Sequence, residues 1–180
     1  MLRKLLLYAC LLTLTQCSKC KNDPIPESPK DPLSTLPPET QTGAGTFGCL
    51  VNGNPMSVNS SFLTSGDWSC NRCLTVSGQS SATQPEYVMS LLITGSLQNN
   101  LQFALGKYSI PVDFSLNTFS VRPSIKQCNY SGNFIKTGRV DLVKFDGVAR
   151  IAAGRFAFTL YEPGGCDTLR VTNGRFDVKF

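Results

Sequence analysis

Thr168-Leu169-Arg170-Val171-Thr172-Asn173-Gly174-Arg175-Phe176-Asp177-Val178-Lys179-Phe180 closes the chain. Two runs of alternating apolar and polar residues flank an Asn-Gly dipeptide. Such alternation reads as half-buried β-strand. Asn-Gly between two such runs is the strongest short-range signal for a two-residue hairpin with a type I′ turn. The pattern predicts paired strands over 168–172 and 175–180. In that register Val171 faces Phe176 and Leu169 faces Val178 on the inner side, and Arg170 faces Asp177 on the outer side. An apolar face and an opposite-charge pair then follow from one register.

The same grammar extends upstream. Thr46–Val51 reads as a strand, and Asn52-Gly53 as a second hairpin turn. Tyr87–Thr94 is a strongly apolar run suited to a central strand, with further candidates at 101–105 and 118–122. Arg139–Phe145 places Val140 and Leu142 on one face, with Val143 and Phe145 making the other partly apolar. Asp146-Gly147 reads as a turn. Arg155–Tyr161 puts Phe156, Phe158 and Leu160 on one face. No amphipathic helix of ordinary length is legible. Many short strands with regular turns imply an all-β domain, an antiparallel β-sandwich or open β-barrel.

The start of the chain has a different character. Met1-Leu2-Arg3-Lys4 is followed by an apolar stretch from Leu5 to Thr15, a basic n-region and an h-region of secretory type. That stretch is shorter than the ~20 apolar residues a spanning helix needs. Leu14-Thr15-Gln16-Cys17-Ser18 resembles a bacterial lipoprotein cleavage box, so residues 1–16 are expected to be a signal peptide and Cys17 the lipidated residue. Two or more acyl chains hold a protein stably on a membrane. From Asn22 to Gly45 prolines 24, 26, 29, 32, 37 and 38 disfavour helix and strand and favour extended polyproline II. Residues 17–45 therefore read as a lipid-attachment site and tether, and 46–180 as the folded domain. Gly43-Ala44-Gly45-Thr46-Phe47-Gly48 matches G-x-G-x-x-G but lacks the preceding strand and following helix of a dinucleotide site.

Composition excludes several chemistries. The chain has no histidine, the commonest general base and metal ligand, so a Ser-His-Asp or Cys-His mechanism cannot be built from it alone. From Thr46 onward, 12 basic and 8 acidic residues leave a net +4 of the chain's +5. The basic residues are scattered, which argues against a nucleic-acid footprint. No cofactor and no metal site is implied.

Cysteine usage fits an oxidising compartment, where disulfides are the default. If strand 139–145 runs antiparallel to strand 155–161, the chain before Arg139 lies near the loop after Tyr161, which pairs Cys128 with Cys166. Cys49 then has Cys70 or Cys73 as candidates. Cys70-Asn71-Arg72-Cys73 lacks the helix-opening context of a redox motif and the further ligands of a zinc site, and reads as structural. Asp141, Asp146, Glu162, Asp167 and Asp177 could support carboxylate hydrolysis if two faced one another. Asp146 is accounted for by its turn, Asp141 by outward alternation and Asp177 by Arg170, so a solvated surface is the simpler reading. Trp68, Tyr87, Tyr108, Tyr130 and Tyr161 read as core or strand-pair residues rather than a ligand site.

Leu36-Pro37-Pro38-Glu39-Thr40-Gln41, then Thr46-Phe47-Gly48-Cys49-Leu50-Val51-Asn52-Gly53, and at the end Gly164-Gly165-Cys166-Asp167-Thr168-Leu169 with Asn173–Phe180, resemble cell-envelope lipoproteins of Bacteroidota. The resemblance spans 36–180. It departs from the family at Met56, where a tryptophan is usual, and in the segment holding Cys70 and Cys73. It implies an outer-envelope lipoprotein with a small β-fold and carries no activity or catalytic residue. The expectation is a non-enzymatic binding or structural module, lipid-anchored in the cell envelope at the outer membrane. Its partner would be an envelope protein, a glycan or a small apolar ligand. The alternative is an envelope enzyme using carboxylates or the C-x-x-C.

Overall fold

Alternation of apolar residues is met almost everywhere by a strand. The computed structural model describes residues 30–61, 63–68, 73–80, 86–94, 102–104, 110–122, 129–130, 135–161 and 166–180. Among these lie eleven strands: β1 Thr46–Val51, β2 Asn54–Val58, β3 Thr64–Asp67, β4 Leu74–Gln79, β5 Glu86–Thr94, β6 Gln102–Ala104, β7 Ile110–Arg122, β8 Asn129–Tyr130, β9 Ile135–Asp146, β10 Ile151–Leu160 and β11 Leu169–Lys179. One 3-10 turn, Pro32–Thr35, is capped by the Asp31 side chain, which accepts from Leu33 N.

The strand order is β2-β1-β11-β10-β9-β7-β5-β4-β3, antiparallel throughout. It divides into two sheets, which makes the fold a β-sandwich. The first sheet holds β2, β1, β11, β10 and β9. The second holds β3, β4, β5 and β7. Strand β7 links them: Ile110–Val112 pair with β9, and Asp113–Arg122 pair with β5.

The core fills the space between the sheets. Strand β5 alternates with period two and buries Tyr87, Met89, Leu91 and Ile93. Facing it, β10 buries Phe156, Phe158 and Leu160, as its alternation predicts. Phe47 crosses the gap. Its ring centroid lies 5.2 Å from that of Phe156, and its other side rests on β4, where a Cβ at Gly78 would stand 2.5 Å from the ring. Trp68, Tyr87 and Tyr130 are core or core-packed aromatics, as expected; Tyr108 lies outside the described residues. Trp68 packs on Phe145 and Phe180.

Bulges in β7, β9 and β11 reset the alternation, and one overturns a reading from sequence. Asn52-Gly53 forms the expected hairpin, with φ of 50° and 83° and Val51 paired to Asn54. Asn173-Gly174 does not. Strand β11 runs unbroken through it, paired to β1 on one side and β10 on the other. Asn173 takes its positive φ of 53° inside a bulge, where two residues of β11 oppose one on each neighbour. Glycine is required next because a Cβ at 174 would meet the Phe156 ring at 2.4 Å. Val171 therefore pairs with Phe158 and Val51, not with Phe176, and Arg170 pairs with Thr159, not with Asp177. One of the two extra residues of β9 is Val143, so Phe145 returns to the inner face with Val140 and Leu142.

The fold also begins earlier than expected. All six residues of β1 are buried, which requires cover on both faces of the strand. Phe47, Cys49 and Val51 belong to the core. The outer face is covered by residues assigned from sequence to the tether. Pro37 sits over Gly48, where a Cβ would approach its ring at 2.5 Å. Leu36 is buried, and Asp31–Phe180 form one compact unit. Residues 31–45 are thus a strap on the outer face of the first sheet.

Candidate functional site

The outer face of the first sheet is the chemically distinctive surface, and the strap divides it in two. Under the strap the side chains form a charged row across strands. Arg175 of β11 stands directly opposite Arg155 of β10, and Arg155 opposite Asp141 of β9. Two like charges facing across strands are unfavourable. Glu39 of the strap relieves this: Arg155 donates to its carboxylate from Nε at 3.0 and 3.1 Å and from Nη2 at 2.6 Å. The Arg155 hydrogen bonds hold the Glu39 carboxyl below its ordinary pKa, against a smaller opposing effect of burial. Both partners of this pair are about half exposed, so it is worth ~0.5 kcal/mol and weakens with salt. Arg175 Nη1 donates to Pro37 O at 3.1 Å, and its buried Nε has no hydrogen-bond partner. Asp141 is held by Arg139 at 2.7 Å.

The stronger clamp is Asp177, which the sequence reading placed on a solvated face. It is 1% exposed. Its carboxylate accepts from Thr40 Oγ1 at 2.6 Å, Thr42 N at 2.9 Å, Gly43 N at 2.7 Å and Ala44 N at 3.2 Å. Its backbone carbonyl accepts from Gly45 N at 2.9 Å. Gly43 and Gly45 have φ of 74° and 70°, the left-handed turns that aim successive amides at one anion. The Gly-rich run matching G-x-G-x-x-G is therefore a cradle for the protein's own carboxylate. Burial alone would raise the Asp177 pKa, but the donors from Thr40, Thr42, Ala44 and Gly43 together outweigh it and hold the pKa below the ordinary value. Lys144 Nζ adds a bond to Gln41 O at 2.9 Å.

The other half of this face is open. Asn52, Gly53, Thr168, Arg170 and Thr172 line a groove of about 440 Å3 at the far end of β1. Asn52 fixes its floor, accepting from Arg170 N at 2.8 Å and donating its own N–H to Arg170 O at 2.9 Å. Tyr161 is 51% exposed. It lies one residue past the Leu160–Leu169 pair, with buried Leu160 pointing inward and Tyr161 outward. Sequence reasoning missed Glu39 and the strap entirely; it weighed Tyr161 as a ligand-site aromatic and set it with the core residues, and it read Arg170 only as a strand residue.

The expected cysteine pairs fare unevenly. Cys49 does not pair with Cys70 or Cys73: it is a free, buried thiol in the core, with Met56 Sδ 4.0 Å away. Burial pushes its pKa far above the ordinary thiol value. Cys73 and Cys166 do not carry free thiols. Cys17, Cys70 and Cys128 lie outside the described residues. The sheet geometry behind the Cys128–Cys166 expectation is present, since β9 and β10 are antiparallel neighbours. Tyr130 Oη donates to Asp167 O at 2.5 Å, which brings the chain just after 128 to the chain just after 166.

Two further carboxylates have local partners. Asp146 accepts from Val148 N and Ala149 N within its turn, and Glu86 accepts from Gln79 Nε2. No protein-family model, no curated protein and no solved structure matches the chain.

Proposed function

We propose that the chain is a lipid-anchored protein of the cell envelope, acylated at Cys17, that displays its β-sandwich as a non-enzymatic binding or structural module. The observation that carries this reading is the strap. A linker that merely connected anchor to domain would need no buried carboxylate to receive it. Here the entering chain is clamped by Asp177 of β11, Arg155 of β10 and Lys144 of β9, across three strands of the first sheet, so a pull on the anchor is borne by the sheet and not by a frayed end. The clamp also leaves one half of the outer face open while it covers the other.

The sequence supports the same reading. It offers an n-region, an h-region and a lipobox-like Cys17, and its ends resemble Bacteroidota envelope lipoproteins. With residues 31–45 part of the compact unit, the proposed tether is residues 18–30. The disulfide Cys128–Cys166 belongs to this proposal, as a staple between the segments that Tyr130 and Asp167 already bring together. The carboxylates Asp31, Glu39, Glu86, Asp141, Asp146 and Asp177 each hold a structural partner, which favours a binding module over a carboxylate hydrolase.

Metabolic labelling with a fatty-acid analogue, followed by membrane fractionation, tests the anchor. The wild-type chain is expected to take up label and sediment with membranes, and Cys17→Ser to lose both. Label that persists in the variant, or an unlabelled wild-type chain, would refute acylation at this residue.

A further inference from the structure

We infer that the open groove beside the β1–β2 turn is a binding site for an acidic saccharide, with Tyr161 as its stacking platform and Arg170 as its anion contact. The inference rests on the reading of the domain as a displayed binding module and names its ligand class.

The lining selects the chemistry. Asn52, Gly53, Thr168, Arg170 and Thr172 offer hydroxyl, amide and guanidinium groups and no aliphatic side chain larger than a threonine methyl. Such walls do not solvate a lipid tail or an apolar ligand. They match a molecule that is itself dense in hydroxyls. Thr168, Arg170 and Thr172 alternate along one strand and so share a face. The volume, about 440 Å3, lies in the range of small-ligand sites.

Charge and aromaticity narrow the class. The lining contains one cation and no carboxylate. A guanidinium with five fixed donors recognises a planar carboxylate in preference to a neutral hydroxyl. Tyr161, at 51% exposure, is one of three large apolar side chains exposed among the described residues. Extending the Leu160–Leu169 pair by one residue sets Tyr161 across from Thr168, one of the groove's lining residues. A ring in that position costs apolar exposure that the core does not need, and its face suits the C–H surface of a pyranose.

Position agrees with display. Asp177, where the strap is clamped, and Arg170 lie seven residues apart on β11, about 20 Å at the rise of a strand. The groove is therefore at the end of the sheet away from the clamp.

The test uses the full chain in detergent micelles, titrated with hexagalacturonate and, separately, with maltohexaose. Backbone amide shifts of Gly53, Thr168, Arg170 and Thr172 are followed by NMR. Hexagalacturonate is expected to give saturable shifts at these amides, weakened at least ten-fold by Arg170→Ala and by Tyr161→Ala, and maltohexaose to bind at least ten-fold more weakly. Both substituted side chains are exposed, and the remaining amides report that each variant is folded. Absence of saturable shifts with either sugar, or shifts unchanged in both variants, would overturn the site; equal binding of the two sugars would overturn its preference for acid. A silent titration with Cys17 acylation intact removes the site and leaves the anchor. Binding without acylation does the reverse.

Discussion

Asp177→Ala is expected to destabilise the domain by about 3 kcal/mol, lowering Tm by roughly 10 °C in a chain of this size. The substitution removes one carboxylate and strands the donors of Thr40, Thr42, Gly43 and Ala44 under the strap. Each stranded, partly buried donor loses a charge-assisted bond. The sign with pH follows from the depressed pKa of Asp177. A carboxyl whose folded pKa lies below its unfolded value contributes stability that is fully present above the unfolded value, near 3.8. That contribution is lost as pH falls through the folded value. Urea titrations at neutral pH should separate wild type from Asp177→Asn, and the two curves should draw together below about pH 4. A neutral-pH difference under 1 kcal/mol would mean that the cradle is ornamental.

Phe47→Ala is expected to cost about 3–5 kcal/mol, the range for removing a fully buried aromatic ring. Phe47 is 0% exposed and bridges the sheets, with Phe156 of β10 on one side and Gly78 of β4 beneath it. The cavity would not collapse readily, because the wall at Gly78 is backbone held in paired strands on both sides. Phe47→Leu should restore more than half of the loss. Chemical denaturation resolves the two; equal effects of Ala and Leu would show that refilled apolar area recovers nothing and that the site over Gly78 requires the flat ring itself.

These two residues also show what the sequence could and could not say. Phe47 was legible: it sits in an apolar run ended by Asn52-Gly53, and local chemistry alone makes that turn. Asn173-Gly174 carries the same letters and the same liking for positive φ. There β1 and β10 both pair with β11, and the long-range ladders convert the local preference into a bulge. Asp177 was misread as a consequence, since its hairpin partner Arg170 disappeared with the hairpin. The strap was hidden more deeply. Its prolines and small polar residues are the composition of a linker, and what binds it is a carboxylate more than a hundred residues away. One clue was present. Thr46–Val51 is too apolar throughout for a strand with one wet face, and its unbroken burial reports the cover. Tyr161 was grouped with the core aromatics because alternation shows which residues point outward but not which outward faces stay open.

The account turns on residues 31–45 belonging to the fold. Amide hydrogen exchange at Thr42, Gly43 and Ala44 tests this most directly, because all three donate to the Asp177 carboxylate. Protection approaching that of the β10–β11 core amides is the result the account predicts. Exchange at the rate of an unstructured peptide would return these residues to the tether and leave Asp177 without its partners.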